Sequence, residues 1–197
     1  CGLRGISNPA FLTSDSTGNR IYAIGDDEGK SSTANALLFD KESGLLSLLN
    51  SQSTDGELPI YITLSPKEYF VLTANYKGGS ITVFSQDKKG KLQRDTKIIR
   101  FAGNGPNKKR QKQSHLHCVT FTPDGKFLLA TDLGTDCIYL FPIGKRPEAG
   151  KAHSLLDESR VVRIQMDSGS GPRHICFHPN GRFAYLISEL DCTTYVE

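Results

Sequence analysis

Short apolar runs separated by polar turns recur along this chain at a spacing of just over fifty residues. The clearest unit begins near residue 117. From about His117 to Thr122 the chain is rich in β-branched and aromatic residues. Thr122-Pro123-Asp124-Gly125 follows as a tight turn, with Pro fixing φ at its second position and Gly at its fourth. Phe127 to Thr131 returns, Gly134 punctuates, and Cys137 to Phe141 forms the next antiparallel run. Similar text recurs at 171–196 and, more loosely, at 58–84. A degenerate copy lies at 8–24, where Gly18-Asn19-Arg20 stands in for the turn.

The turn prolines Pro66, Pro123 and Pro179 are 57 and 56 residues apart, and Ser16 occupies the corresponding place one unit earlier. Several short strands and Gly/Pro turns per unit, repeated at that period, predict propeller blades of four strands each. Leu37 to Asp40 with Ser43-Gly44-Leu45-Leu46, and Val83-Phe84 with Lys89-Gly90-Lys91-Leu92, supply the third and fourth strands of the first two units. Helical periodicity is confined to Ser154–Arg160, too short to carry an architecture. The expectation is a single-domain, all-β chain of four-stranded antiparallel blades, with units at about 1–50, 51–106, 107–163 and 164–197, the last incomplete. Because an open ring leaves blade faces uncovered, the chain reads as part of a larger propeller.

Composition changes this picture little. Of 197 residues, 37% are hydrophobic and 23% charged, which is ordinary for a globular protein. No apolar run approaches the ~20 residues that span a bilayer, and no secretory signal is visible. A net charge of +3 is too mild to predict nucleic-acid binding. The five cysteines stand singly, and Cys118 and Cys176 occupy matching strand positions, which predicts buried free thiols. The Cys1-Gly2 start resembles that of a processed lipoprotein, but the first unit begins by Asn8 and leaves almost no tether. The basic run Lys108-Lys109-Arg110-Gln111-Lys112 either faces solvent or leans over the channel mouth to attract an anion.

In a blade, residues just before the first strand and just after the second emerge on the same face. His117 lies six residues before Pro123 and Asp132 six after Lys126; Arg173 lies six before Pro179 and Glu189 seven after Arg182. Tyr76 stands at the matching place in the second unit. His115, His117, Asp132, Arg173, His174 and Glu189 are therefore expected to meet at one mouth of the channel. Acid–base groups beside a guanidinium suit oxyanion or phosphate chemistry. A hairpin salt bridge and hydrogen-bonded structural histidines are the plainer reading of the same residues. His115 and His117 form a His-x-His pair, but no third metal ligand is specified by spacing.

The motifs Gly105-Pro106-Asn107 … Arg110-Gln111 … His115-Leu116-His117, Phe121-Thr122-Pro123-Asp124-Gly125-Lys126 … Asp132-Leu133-Gly134 and Gly171-Pro172-Arg173-His174 … Pro179-Asn180-Gly181-Arg182 … Glu189 resemble the propeller-type bacterial 6-phosphogluconolactonase family, related to the carboxy-muconate-lactonising enzymes. The resemblance covers essentially the whole chain. It implies a seven-bladed fold, a cytoplasmic enzyme of the pentose phosphate pathway, and metal- and cofactor-independent hydrolysis of a phosphorylated sugar lactone. The catalytic His of the lactonising relatives maps onto His117, with His115 as the alternative, and their Arg and Glu onto Arg173 and Glu189, leaving His115, Asp132, His174 and Tyr76 to bind substrate. Glu189, or His117 paired with Asp132, would be the base, and Arg173 the oxyanion or phosphate partner. Departures are Ser114 in place of a Pro before His-x-His, a first unit without its turn Pro, and about three absent blades. A cycloisomerase using the same cluster and a non-catalytic binding scaffold are the competing functions. Muconate product analysis separates the first, and a blocked mouth or a cluster spent on mutual hydrogen bonds would favour the second.

Overall fold

The computed structural model describes residues 2–28, 30–145 and 147–196; Cys1, and with it the lipoprotein reading, lies outside them. The chain forms four antiparallel sheets whose strands follow one another in chain order. The first contains β1 (Leu12–Ser14), β2 (Arg20–Asp26), β3 (Ser32–Asp40) and β4 (Leu45–Ser53). The second contains β5 (Pro59–Leu64), β6 (Phe70–Asn75), β7 (Ser80–Gln86) and β8 (Leu92–Arg100). The third contains β9 (Leu116–Phe121), β10 (Phe127–Asp132), β11 (Cys137–Pro142) and β12 (Val162–Gln165). The fourth has three strands, β13 (Pro172–Phe177), β14 (Ala184–Ser188) and β15 (Thr194–Val196). The segment Ser154–Arg160 contributes only parts of two single-turn 3-10 helices, Ala152–Ser154 and Glu158–Arg160.

The sheets pack face to face as propeller blades, and this explains the composition of their strands. Every residue of β6 and β7 is buried, because the second blade is covered on both faces. Its strands accordingly read as apolar runs such as Phe70-Val71-Leu72 rather than strict alternation. Tyr22, Ile24, Val71 and Phe84 join the first blade to the second. Phe70, Leu72, Val119, Leu128 and Phe141 join the second to the third, and Cys118, Leu129, Ile138, Ile175 and Leu186 join the third to the fourth. The outer strand β12 is exposed throughout. Cys118 and Cys137 are buried free thiols, but Cys176 is exposed, as is Cys192. Cys118 is covered by the fourth blade, whereas Cys176, at the matching position of the last blade, has no described blade beyond it.

The inner strands carry one irregularity that decides the site. The β5–β6 ladder skips Ile60, the β9–β10 ladder skips His117, and the β13–β14 ladder skips Arg173. Each is a one-residue bulge, which bends the strand and re-aims its side chain. The bulges lie six residues before Pro66, Pro123 and Pro179, so they repeat with the turns.

Packing between blades should dominate stability. Leu128→Ala, at a fully buried position, is expected to cost about 2–5 kcal/mol, read as a lower urea midpoint at unchanged slope. Leu45→Ala, at a position 56% exposed, should stay within about 0.5 kcal/mol.

Candidate active site

The three bulged residues, together with Ala10 at the corresponding place in the first blade, line one cleft of about 420 Å³. Phe11, Leu58, Tyr76, Arg110 and His174 complete its wall. The ring of Phe11 stacks on Tyr61 at 4.2 Å, and His174 meets Tyr61 edge-on at 5.6 Å. The cleft therefore has an aromatic side and a charged side.

On the charged side, Glu189 is held from both ends. Arg173 Nε donates to Glu189 Oε2 at 3.1 Å, and Arg110 Nη2 donates to Oε1. The Arg110 guanidinium also reaches the Tyr76 hydroxyl at 3.4 Å. Burial alone would raise the Glu189 carboxyl, but Arg110 and Arg173 outweigh it and hold the pKa below the usual carboxylate range. His117 Nε2 lies 3.6 Å from Glu189 Oε2, too far for a direct hydrogen bond. His117 Nδ1 is buried and has no hydrogen-bond partner among the described residues. Burial, reinforced by the Arg173 charge, lowers the His117 pKa to about 4. His174 is lowered for the same reasons, burial first and Arg173 second. Both imidazoles are thus neutral at pH 7.

Local structure explains these placements. Thr131 Oγ1 donates to the Arg173 carbonyl at 2.6 Å and pins the bulge to the neighbouring blade. Gly171, just before β13, has φ of +65°, and a Cβ there would lie 2.6 Å from Leu190. Its carbonyl accepts from Glu189 N at 2.8 Å, which fixes where β14 delivers the carboxylate.

Two of the expected residues stand elsewhere. Asp132 is fully buried and does not face the cleft. Its carboxylate accepts from Ser114 Oγ, His115 N, Gly134 N and Thr135 Oγ1 at 2.7–2.9 Å, and no His117–Asp132 pair forms. The reason is register. Tyr76, Leu133 and Glu189 make the same backbone bond to the entering strand, so Leu133 is the equivalent of Glu189. Asp132 matches Asn75 and Ser188, both buried. One residue along a strand reverses the side chain. His115 lies behind the wall, its ring stacked 4.4 Å from Tyr76 and its Nδ1 3.0 Å from the Tyr76 carbonyl. Arg110, Phe11 and Tyr61 were missed as site residues. Arg110 stood in a family motif and in a basic loop that one reading leaned over the channel mouth, but nothing in the sequence paired its guanidinium with Glu189. Among the described residues, no group of three or more His, Cys, Asp or Glu is placed to hold a metal.

Blades of this kind, bearing a cleft of imidazole, carboxylate and guanidinium groups, define a propeller of enzyme-like character. The chain belongs to the seven-bladed β-propeller lactonase family, described as "Lactonase, 7-bladed beta-propeller", which it matches over residues 2–196. It is 35% identical to 6-phosphogluconolactonase of Bacillus subtilis over 94% of this chain and 50% of that protein. A Bacteroides fragilis structure, provisionally described as a 6-phosphogluconolactonase, superposes with a TM-score of 0.89 at 42% identity, covering 97% of this chain and 53% of that one. The periplasmic gluconolactonase of Pseudomonas aeruginosa gives 0.85 at 27% identity, covering 99% and 55%. The chain spans about half the length of the curated relatives it matches.

Asp132→Ala should behave as a stability variant. It strands two backbone N–H groups and two hydroxyls, each worth about 1–3 kcal/mol when buried unpaired. Thermal and urea unfolding should show the loss, whereas a pure rise in KM with unchanged stability would return Asp132 to the substrate.

Proposed function

We propose that the protein hydrolyses a sugar lactone, with 6-phosphogluconolactone as the leading candidate, by acid–base catalysis at this cleft. The observation that carries the reading is a neutral imidazole, His117, set beside a carboxylate that two arginines hold ionised. Family membership and the similarity to the Bacillus subtilis 6-phosphogluconolactonase supply the lactone.

In this mechanism a water attacks the ring carbonyl while His117 takes its proton. Glu189 is the weaker candidate for the base, because both its oxygens already accept from guanidinium groups. Its negative charge, 3.6 Å from His117 Nε2, instead stabilises the imidazolium that forms. Arg173 donates to the developing oxyanion through N–H groups not used on Glu189, since among the described residues only its Nε is engaged there. The tetrahedral intermediate collapses, the C–O ring bond breaks, and the imidazolium returns its proton to the departing ring oxygen. Lactone and water give the hydroxy acid, and His117 is again neutral. His174 and Tyr76 offer a polar edge and an aromatic face to the sugar. No step calls for a metal or cofactor.

A base with a pKa near 4 is weak, but a bound anion changes it. Burial is the largest cause of the lowering, and the Arg173 charge the next. An anionic substrate at the arginines offsets that second part and raises the His117 pKa toward the ordinary histidine range. We place the reaction in the cytoplasm and in the pentose phosphate pathway. Because the Pseudomonas relative is periplasmic, cell fractionation checks the compartment.

The first test is hydrolysis of freshly generated 6-phosphogluconolactone by the purified protein, against the uncatalysed rate. Arg173→Ala should lower kcat by about 10²–10³; undiminished turnover would remove Arg173 from the site. The pH dependence provides a second test. As pH falls, His117 protonates and cannot act as base, so kcat/KM should hold from pH 7 to about 5 and fall through about pH 4. The acid limb of kcat, which reports the substrate complex, should lie higher. An acid limb unaffected by His117→Gln would exclude His117 as the base.

A further inference from the structure

Among the described residues, Arg110 is the one guanidinium lining the cleft that comes from neither a strand nor a bulge. It lies on the irregular connection between the second and third blades, yet that connection is firmly held. Arg110 N and Gln111 N both donate to the Asn107 carbonyl at 3.2 and 2.8 Å. Gln111 is 1% exposed; its Nε2 donates to the Leu133 carbonyl at 2.9 Å and to Asp136 Oδ1 at 2.6 Å, and its Oε1 accepts from Asn107 N at 3.0 Å. A Cβ on Gly105 would lie 2.5 Å from the Gln111 side chain, so the loop closes tightly around that amide. The amide also ties the loop to Asp136, which accepts from Gly169 N and Gly171 N beside the fourth blade. Arg110 is therefore presented at a set position, with its side chain 43% exposed.

Charge is unbalanced there. Arg110 and Arg173 share the single carboxylate of Glu189, while His117 and His174 are neutral and Asp132 is buried behind its own donors. Lys77 and Glu57, 3.5 Å apart near the rim, cancel each other. Among the described residues the cleft thus carries an excess of one positive charge. Among the described residues Arg110 uses only Nη2 on protein partners, out of five N–H donors in a planar fork. Both guanidinium groups lie within one hydrogen bond of the same carboxylate, so one small anion-bearing molecule can touch both.

We propose that Arg110 is a specificity-determining residue that reads an anionic group remote from the reacting carbonyl, and so makes the site prefer a phosphorylated lactone over its neutral counterpart. Arg173 serves the carbonyl and Arg110 the phosphate, with Glu189 holding the two apart. The assignment rests on the lactonase reading above, and its test separates the two.

The experiment compares kcat/KM for 6-phosphogluconolactone with that for δ-gluconolactone in the wild type, Arg110→Ala, Arg110→Lys and Lys108→Ala. It also measures binding of 6-phosphogluconate and gluconate by calorimetry, with thermal unfolding as the folding control. Losing one charged, forked contact should cut the preference for the phosphorylated substrate by about ten- to a hundredfold in Arg110→Ala. Arg110→Lys should retain part of it, since charge survives and the fork does not. The binding preference for 6-phosphogluconate should fall by a similar factor. Lys108→Ala, an exposed lysine of the same loop, should leave the preference intact. If Arg110→Ala lowers both substrates equally, Arg110 is a strut for Glu189 and the proposal fails while the lactonase reading stands. An equal loss in Lys108→Ala would assign the preference to diffuse loop charge and also overturn it. If neither lactone is opened by the wild type, the lactonase reading fails, and the binding preference, present or abolished in Arg110→Ala, still decides the role of Arg110.

Discussion

The one-residue bulge at the head of the inner strand, repeated at Ile60, His117 and Arg173, is the constraint on which the cleft depends. In an unbroken ladder these side chains would alternate with their neighbours between the two faces of a sheet, and each face is wanted by an adjacent blade. The skipped residue is released from that alternation and points along the channel mouth. The same device yields an apolar side chain in one blade, an imidazole in the next and a guanidinium in the third. The scaffold repeats, and the chemistry comes from what each repeat places at one position.

The electrostatic consequence is a division of labour among groups of unequal hydration. Glu189 stays ionised although partly buried, because two guanidinium groups supply what water would have supplied. His117 has no such partner within bonding distance, so burial wins and the ring is neutral. A carboxylate too well satisfied to take a proton thus stands beside an imidazole too poorly satisfied to keep one. The mutual bonding that would mark a mere scaffold is limited to Asp132, His115 and the Arg–Glu–Arg group. His117 Nδ1 remains unpaired among the described residues, and the cleft is open.

Much of the site was legible because a hairpin turn works as a ruler. Counting back six residues from Pro123 and Pro179 found His117 and Arg173 without any structure, and the residue after Arg173 supplied His174. The same ruler failed on the returning strand. Six residues after Lys126 gave Asp132 and seven after Arg182 gave Glu189, and treating these as equivalent ignored the period of two. The row of Asn75, Asp132 and Ser188 is buried; in the next row Tyr76 and Glu189 stand on the charged side of the cleft, while Leu133, their equivalent in the third blade, is itself fully buried. Arg110 had no ruler at all, since the loop that carries it belongs to no repeat.

Sequence alone determined the blade architecture, because alternating apolar runs, turn prolines and glycines act locally and recur at a fixed period. It also determined which ionisable residues lie near strand ends. Only the tertiary structure decided that Glu189 rather than Asp132 stands beside His117, that Arg110 joins them, and that His117 is neutral. Those outcomes depend on the packing of separate blades and on how much water that packing excludes, and neither quantity is encoded in the neighbours of any one residue.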